Sequence, residues 1–166
     1  MAFLLAARRA ATAAPRIAAR RGYAEVASSA SDKLKLSLVL PHETIFSSQD
    51  VVQVNLAAES GDLGVLANHV PSIEALKPGV LEVIEGSANE SKKWFVSGGF
   101  ANVHPNNTLT VNAVEAYPLD AFSPEAIRSG LAEAQRVASG SGTEEEKAEA
   151  AIEVQVYEAL QAALKA

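Results

Sequence analysis

The sequence predicts an α+β fold: an N-terminal antiparallel β-sandwich over residues 34–116, then a C-terminal two-helix hairpin over 117–166. Three observations carry that prediction. Leu34, Leu36, Leu38 and Leu40 alternate with Lys33, Lys35, Ser37 and Val39, a period of two that leaves one apolar face. Short β-rich segments then recur between turn signals as far as Val114, which is the pattern of a sandwich. After Tyr117-Pro118 the period becomes helical. Ile127, Leu131, Ala134 and Ala138 share one face, and Ile152, Val156, Leu160 and Leu164 share the next.

Ahead of the first strand the composition differs. Residues 1–23 hold Arg8, Arg9, Arg16, Arg20 and Arg21, no acid, and mostly alanine between them. A cationic, acid-free stretch too interrupted to span a membrane reads as a mitochondrial transit peptide. Arg8-Arg9 cuts the apolar run Phe3-Leu4-Leu5-Ala6-Ala7 too short for a secretory signal. Arg21-Gly22-Tyr23-Ala24 resembles a matrix processing site, which would make Ala24 the mature start. Residues 24–33 read as a small, polar linker. The whole chain has 14 basic and 20 acidic residues; without the five leader arginines, 9 bases face 20 acids, or −11. An acidic body without a basic patch argues against nucleic-acid binding.

Pro41-His42 ends the first strand. Ile45-Phe46 and Val51-Val52-Val54 mark two further segments, with Ser47-Ser48-Gln49-Asp50 as the break between them. The stretch from Ser60 to Pro71 reads as a tight loop. Gly61 and Gly64 mark reversals around Leu63, Val65-Leu66 forms a short internal strand, and Pro71 forces Val70 towards extended geometry. Lys77-Pro78-Gly79 suits a type II turn. Val80–Ile84 and Trp94–Val96 flank polar residues 86–92 as a hairpin. Gly98-Gly99 interrupts, Phe100–His104 resumes, Pro105-Asn106-Asn107 turns, and Thr108–Val114 closes the series.

Ser123-Pro124-Glu125 supplies a cap, a first-turn proline and an early acid for the first helix. Gly130 within it costs about 1 kcal/mol against alanine. Ser139–Gly142 breaks the chain, and Thr143 with Glu146 has capping-box spacing for the second helix. Six large apolar side chains cannot offset the ordering of such a hairpin, so it has to dock on the sandwich or on a partner.

Signals for catalysis are missing. The chain has no cysteine, which excludes thiolate chemistry. His42, His69 and His104 fall in no metal-ligand spacing. Ser97-Gly98-Gly99 lacks the flanks of a nucleophile elbow. Gly61-Asp62-Leu63-Gly64 lacks the Lys-Ser or Lys-Thr of a phosphate loop, and Asp62 would repel phosphate. No cofactor is expected. Trp94 and Phe95 suit a core. Asp62 and His69 have two readings: local turn chemistry, or a contact presented to a partner.

The run Gly61-Asp62-Leu63-Gly64-Val65-Leu66-Ala67-Asn68-His69-Val70-Pro71, then Leu76-Lys77-Pro78-Gly79-Val80, Val96-Ser97-Gly98-Gly99-Phe100 and Thr110-Val111, resembles the mitochondrial ATP synthase delta subunits, called epsilon in bacteria and chloroplasts. The likeness covers residues 34–166 in order and spacing. It implies a sandwich with a helical hairpin and a non-catalytic role in the central stalk, on the matrix side of the inner membrane. The implied partners are the gamma subunit, the membrane ring of c subunits and the small mitochondrial epsilon subunit. It also implies c-ring contacts at Asp62, where glutamate is frequent in the family, and at His69. Gly61, Gly64, Pro71, Pro78, Gly79, Gly98 and Gly99 would shape the loops. Phe122–Arg128 departs from the Ile-Asp and arginine pattern of nucleotide-binding relatives, so ATP binding is not expected. A free-standing matrix adaptor with the same sandwich is the alternative role.

Overall fold

The computed structural model describes residues 33–86 and 91–165. Residues 1–23, read from the sequence as a transit peptide, most of the expected linker and the centre of the segment at 86–92 lie outside the described residues.

Ten strands follow in order: β1 (Leu34–Val39), β2 (Thr44–Val51), β3 (Gln53–Ala58), β4 (Gly61–Leu66), β5 (Ser72–Leu76), β6 (Gly79–Ile84), β7 (Ser91–Val96), β8 (Gly99–His104), β9 (Thr108–Ala113) and β10 (Ala116–Pro118). They form two layers, β4-β3-β6-β7-β10 and β5-β8-β9-β1-β2, which meet where Ala58 of β3 pairs with Leu76 of β5. Every pairing among the described strands is antiparallel except one: β1 lies parallel to β9, with Leu36 opposite Leu109 and Leu38 opposite Val111. The period-two pattern fills the space between the layers. Leu34, Leu36 and Leu38 meet Val54, Leu56, Val83 and Val111, all buried.

The glycine-rich stretch is a strand where the sequence suggested a loop. The reversal falls at Glu59-Ser60, and Gly61–Leu66 pairs with β3 along its whole length. Of its two glycines only Gly61 has a positive φ, +133°; Gly64 is ordinary strand, and Asn68 takes φ +64° in the turn beyond. Ser47–Asp50 is likewise no break but part of β2. There Ser48 takes φ +54°, its N–H donates to Ser37 Oγ at 3.1 Å, and the β1–β2 register shifts. The interruption comes at Val52. Gly79 has no positive φ, so Pro78-Gly79 is no type II turn. Glycine serves there by clearance, because a Cβ would come within 2.6 Å of the Ala57 Cβ.

The short β10 was not apparent in the sequence. It pairs Ala116, Tyr117 and Pro118 with Val96, Phe95 and Trp94, and a single 3-10 turn at Leu119–Ala121 leads to the helices. Helix α1 spans Pro124–Ala138, and the Ser123 Oγ accepts the Ala126 N–H. Helix α2 spans Glu144–Ala163 behind a complete capping box. Thr143 Oγ1 accepts the Glu146 N–H at 3.2 Å, and the Glu146 carboxylate accepts the Thr143 N–H at 2.8 Å. Gly130 lets the helices close up, since a Cβ there would stand 2.5 Å from the Tyr157 Cζ. Its propensity cost is thus offset by packing. The expected stripe on α2 is corrected at Ile152, which is 62% exposed. The inward side runs through Ala150, Tyr157 and Leu160, and Ile152 lies about 200° around the helix from Ala150.

The hairpin docks on the first sheet. Phe95, Ile127 and Leu160 are buried together, with Leu119, Phe122, Val156 and Tyr157 packed around them. Phe95 and Phe122 meet edge to face at 5.8 Å. Trp94, the neighbouring residue, faces the main core and meets Phe46 edge to face at 4.9 Å.

Candidate interaction surfaces

Because side chains alternate along a strand, the residues of the first sheet that point away from the core form an outer face. At the β7–β10 edge the helices cover it over Phe95. The rest is open. One row across it reads Gly64, Asn55, Glu82, Lys93, fixed by strand register. Gln53 Nε2 donates to Asn55 Oδ1 at 2.6 Å, and Asn55 Nδ2 donates to Glu82 Oε2 at 3.0 Å. Gly64 leaves room for this chain: a Cβ would lie 3.2 Å from Gln53 Nε2 and 3.3 Å from Asn55 Oδ1. The hydrogen bond from Asn55, then one from Ser91, holds the Glu82 carboxyl below the ordinary glutamate range.

This shift sets a direction with pH. The folded-state value is depressed, so the stabilisation is complete above the unfolded glutamate value and is lost as pH falls through the folded one. Glu82→Gln is expected to flatten that part of a stability-versus-pH curve by less than about 1 kcal/mol. Denaturant midpoints measured across acidic pH check it, and equal slopes in both proteins would refute it.

Asp62 also points outward. Its side chain is 85% exposed, and one carboxylate oxygen lies 3.5 Å from Lys77 Nζ. His69 is elsewhere. It sits beyond the far end of β4, where its Nδ1–H donates to the Val70 carbonyl at 2.8 Å. That loop is pinned to the β8–β9 turn: the Asn68 N–H donates to Asn107 Oδ1 at 2.7 Å, and the Asn107 carbonyl accepts the Lys35 N–H at 2.8 Å. The two predicted contact residues therefore stand near opposite ends of β4, Asp62 as its second residue and His69 three residues past its end, and do not adjoin. The four strand steps from Asp62 to Leu66, at ~3.3 Å each, put roughly 13 Å between them along β4. Gly98 and Gly99, with φ +153° and +142°, carry the chain from β7 into β8, and Pro71 closes the loop before β5.

The second sheet shows a surface that the sequence reading missed. Ile73, Phe100 and Val114 project outward from β5, β8 and the end of β9, with Ile73 72% and Phe100 58% exposed. A shallow groove of about 370 Å³ between Val39, Pro41, Phe100, Asn112 and Val114 runs beside them. The signal was present: in Gly99–His104 the inward residues are Ala101 and Val103, so a phenylalanine stands at a solvent position. Exposed apolar patches of this kind mark interaction sites. Among the described residues no group of three His, Asp or Glu could hold a metal ion, and no helix is long and apolar enough to cross a membrane.

Comparison with known proteins agrees with a partner-binding chain. Residues 33–118 match the family model described as ATP synthase, Delta/Epsilon chain, beta-sandwich domain. Residues 122–162 match the one described as fungal epsilon subunit of F1F0-ATP synthase, C-terminal domain. The protein named ATP synthase subunit delta, mitochondrial, of Agaricus bisporus is 69% identical over 145 residues, 87% of this chain and 86% of that one. Its namesake in Kluyveromyces lactis is 57% identical over 162 residues, covering 98% of both chains. A chain in the cryo-EM structure of the Euglena gracilis mitochondrial ATP synthase, OSCP/F1/c-ring, superposes with a TM-score of 0.75 at 31% identity, covering 80% of this chain and 82% of that one. Sequence and fold together place the chain in the mitochondrial ATP synthase delta-subunit family, whose wider membership is the delta/epsilon chains.

Proposed function

We propose that this chain is a non-catalytic rotor subunit of the central stalk of mitochondrial ATP synthase, linking the gamma subunit to the c-ring and passing rotation between them. Membership of the delta-subunit family is the observation that carries this reading. Torque transfer needs a rigid body with two partner surfaces, and the molecule offers both. The apolar face of Ile73, Phe100 and Val114 suits a lasting contact with gamma, of the kind that buries roughly 1,200–2,000 Å² in all. The line from Asp62 along β4 to His69 suits the polar loops of the ring. The small mitochondrial epsilon subunit is a third partner. The chain is peripheral to the inner membrane on the matrix side, and residues 1–23 are its cleaved import signal.

The lack of native cysteine permits a direct test. Asp62→Cys, assembled into synthase membranes, is expected to crosslink to a cysteine placed in the c-subunit polar loop and to stop proton-driven ATP synthesis. A chain that cofractionates with the synthase but gives no crosslink would return Asp62 to its ion pair with Lys77. A chain that does not cofractionate would make a free-standing matrix adaptor the better account.

A further inference from the structure

The helices leave part of the first sheet's outer face uncovered, and a cleft of about 480 Å³ lies there. Asn55, Val80, Glu82 and Lys93 line it from the sheet, and Leu119 and Ala163 line it from the 3-10 turn and α2. The sheet side is preorganised. Glu82 is only 27% exposed at its side chain, yet it is oriented by a chain of amides, Gln53 to Asn55 to carboxylate, for which Gly64 leaves room. Lys93 stands 4.0 Å from Glu82 Oε1, an ion pair without a hydrogen bond. Asp62 adds a second carboxylate to the lining, already 3.5 Å from Lys77 Nζ, so Glu82 is the acid left for a partner's cation.

We propose that this cleft seats a polypeptide segment of a neighbouring subunit that presents an arginine or lysine flanked by small apolar residues, with Glu82 as the partner of that cation. The chemistry follows from the walls. Val80, Leu119 and Ala163 offer apolar sides with little depth, which suits small side chains. A guanidinium or ammonium could displace the loosely held Lys93 and donate a charge-assisted hydrogen bond to a carboxylate already held in place. Ordering it in advance reduces what the partner must order on binding. The inference rests on the rotor reading, because it takes the neighbour to be a subunit of the same complex.

Ala163→Cys, labelled with a benzophenone maleimide in the otherwise cysteine-free chain and assembled into purified synthase, is the probe. Photolysis is expected to yield a crosslink to another subunit within a few residues of a lysine or arginine. Glu82→Gln is expected to lower that yield at least tenfold, and Lys93→Gln, which removes the competing cation, to raise it. Intrachain products alone, or a yield indifferent to Glu82→Gln, would overturn the proposal while leaving the rotor assignment intact. Loss of yield in both variants alike would mean disturbed folding and would also overturn it, since Lys93 would then be no competitor. Absence of the labelled chain from the synthase, read separately by blotting, would overturn both readings.

Discussion

Gly99→Ala is expected to lower folding stability by about 3–5 kcal/mol, enough to leave a large fraction of the protein unfolded. Gly99 opens β8 between β5 and β9, opposite Leu76 and Ala113. Its φ is +142°, a conformation that side-chain-bearing residues rarely adopt. An alanine Cβ would fall 2.1 Å from the Asn112 carbonyl oxygen and 2.9 Å from the Ala113 Cα. Both obstacles are backbone, so relief requires β9 to shift, and β9 also carries β1. Gly61→Ala provides the control. Gly61 has a similar φ, +133°, but open space where a Cβ would stand. It bears the conformational cost alone, about 1–2 kcal/mol. Guanidinium unfolding of both variants separates the two contributions, and equal losses would refute the clash at Gly99.

Phe95→Ala is expected to cost about 3–5 kcal/mol, with the loss falling mainly on the hairpin's attachment. Phe95 is the sandwich's buried contribution to the cluster that also holds Ile127, Leu160 and Phe122. Without it the helices retain their caps and their mutual packing but lose their seat. Hydrogen exchange should quicken through residues 119–163 while β1, β3 and β9 keep their protection. Trp94→Ala should do the reverse, loosening the main core around Phe46 and sparing the helices. If Phe95→Ala raised exchange uniformly, sandwich and hairpin would be one cooperative unit.

The layers and the hairpin were legible because burial imposes period two on a strand and helical spacing on a helix, and because Ser123, Thr143 and Glu146 satisfy backbone groups in a stereotyped way. The glycines were harder to read. Glycine serves either by adopting unusual angles or by leaving room, and only the first is a local property. Gly64, Gly79 and Gly130 leave room for residues distant in sequence, namely Gln53 and Asn55, Ala57, and Tyr157. Reading Gly64 and Gly79 as turns was therefore the natural error. The same limit affected the site. Asp62 and His69 share one motif but stand near opposite ends of β4, and the apolar surface gathers residues from β5, β8 and the bend after β9 that only the sheet brings together.

The parallel pairing of β1 with β9 bears on how the molecule is made. A chain threaded N-terminus first presents β1 early, but β9, its parallel neighbour, begins only at Thr108. Until then Leu34, Leu36 and Leu38 can share a ribbon with β2 but lack the strand on their other side. Closing a ring of chain that long is entropically costly and slow relative to forming local hairpins. The sheet is thus sealed by one of the last strands to emerge. A chain halted anywhere before that point exposes a leucine-lined edge, the kind of surface that chaperones hold and that unprotected chains aggregate through.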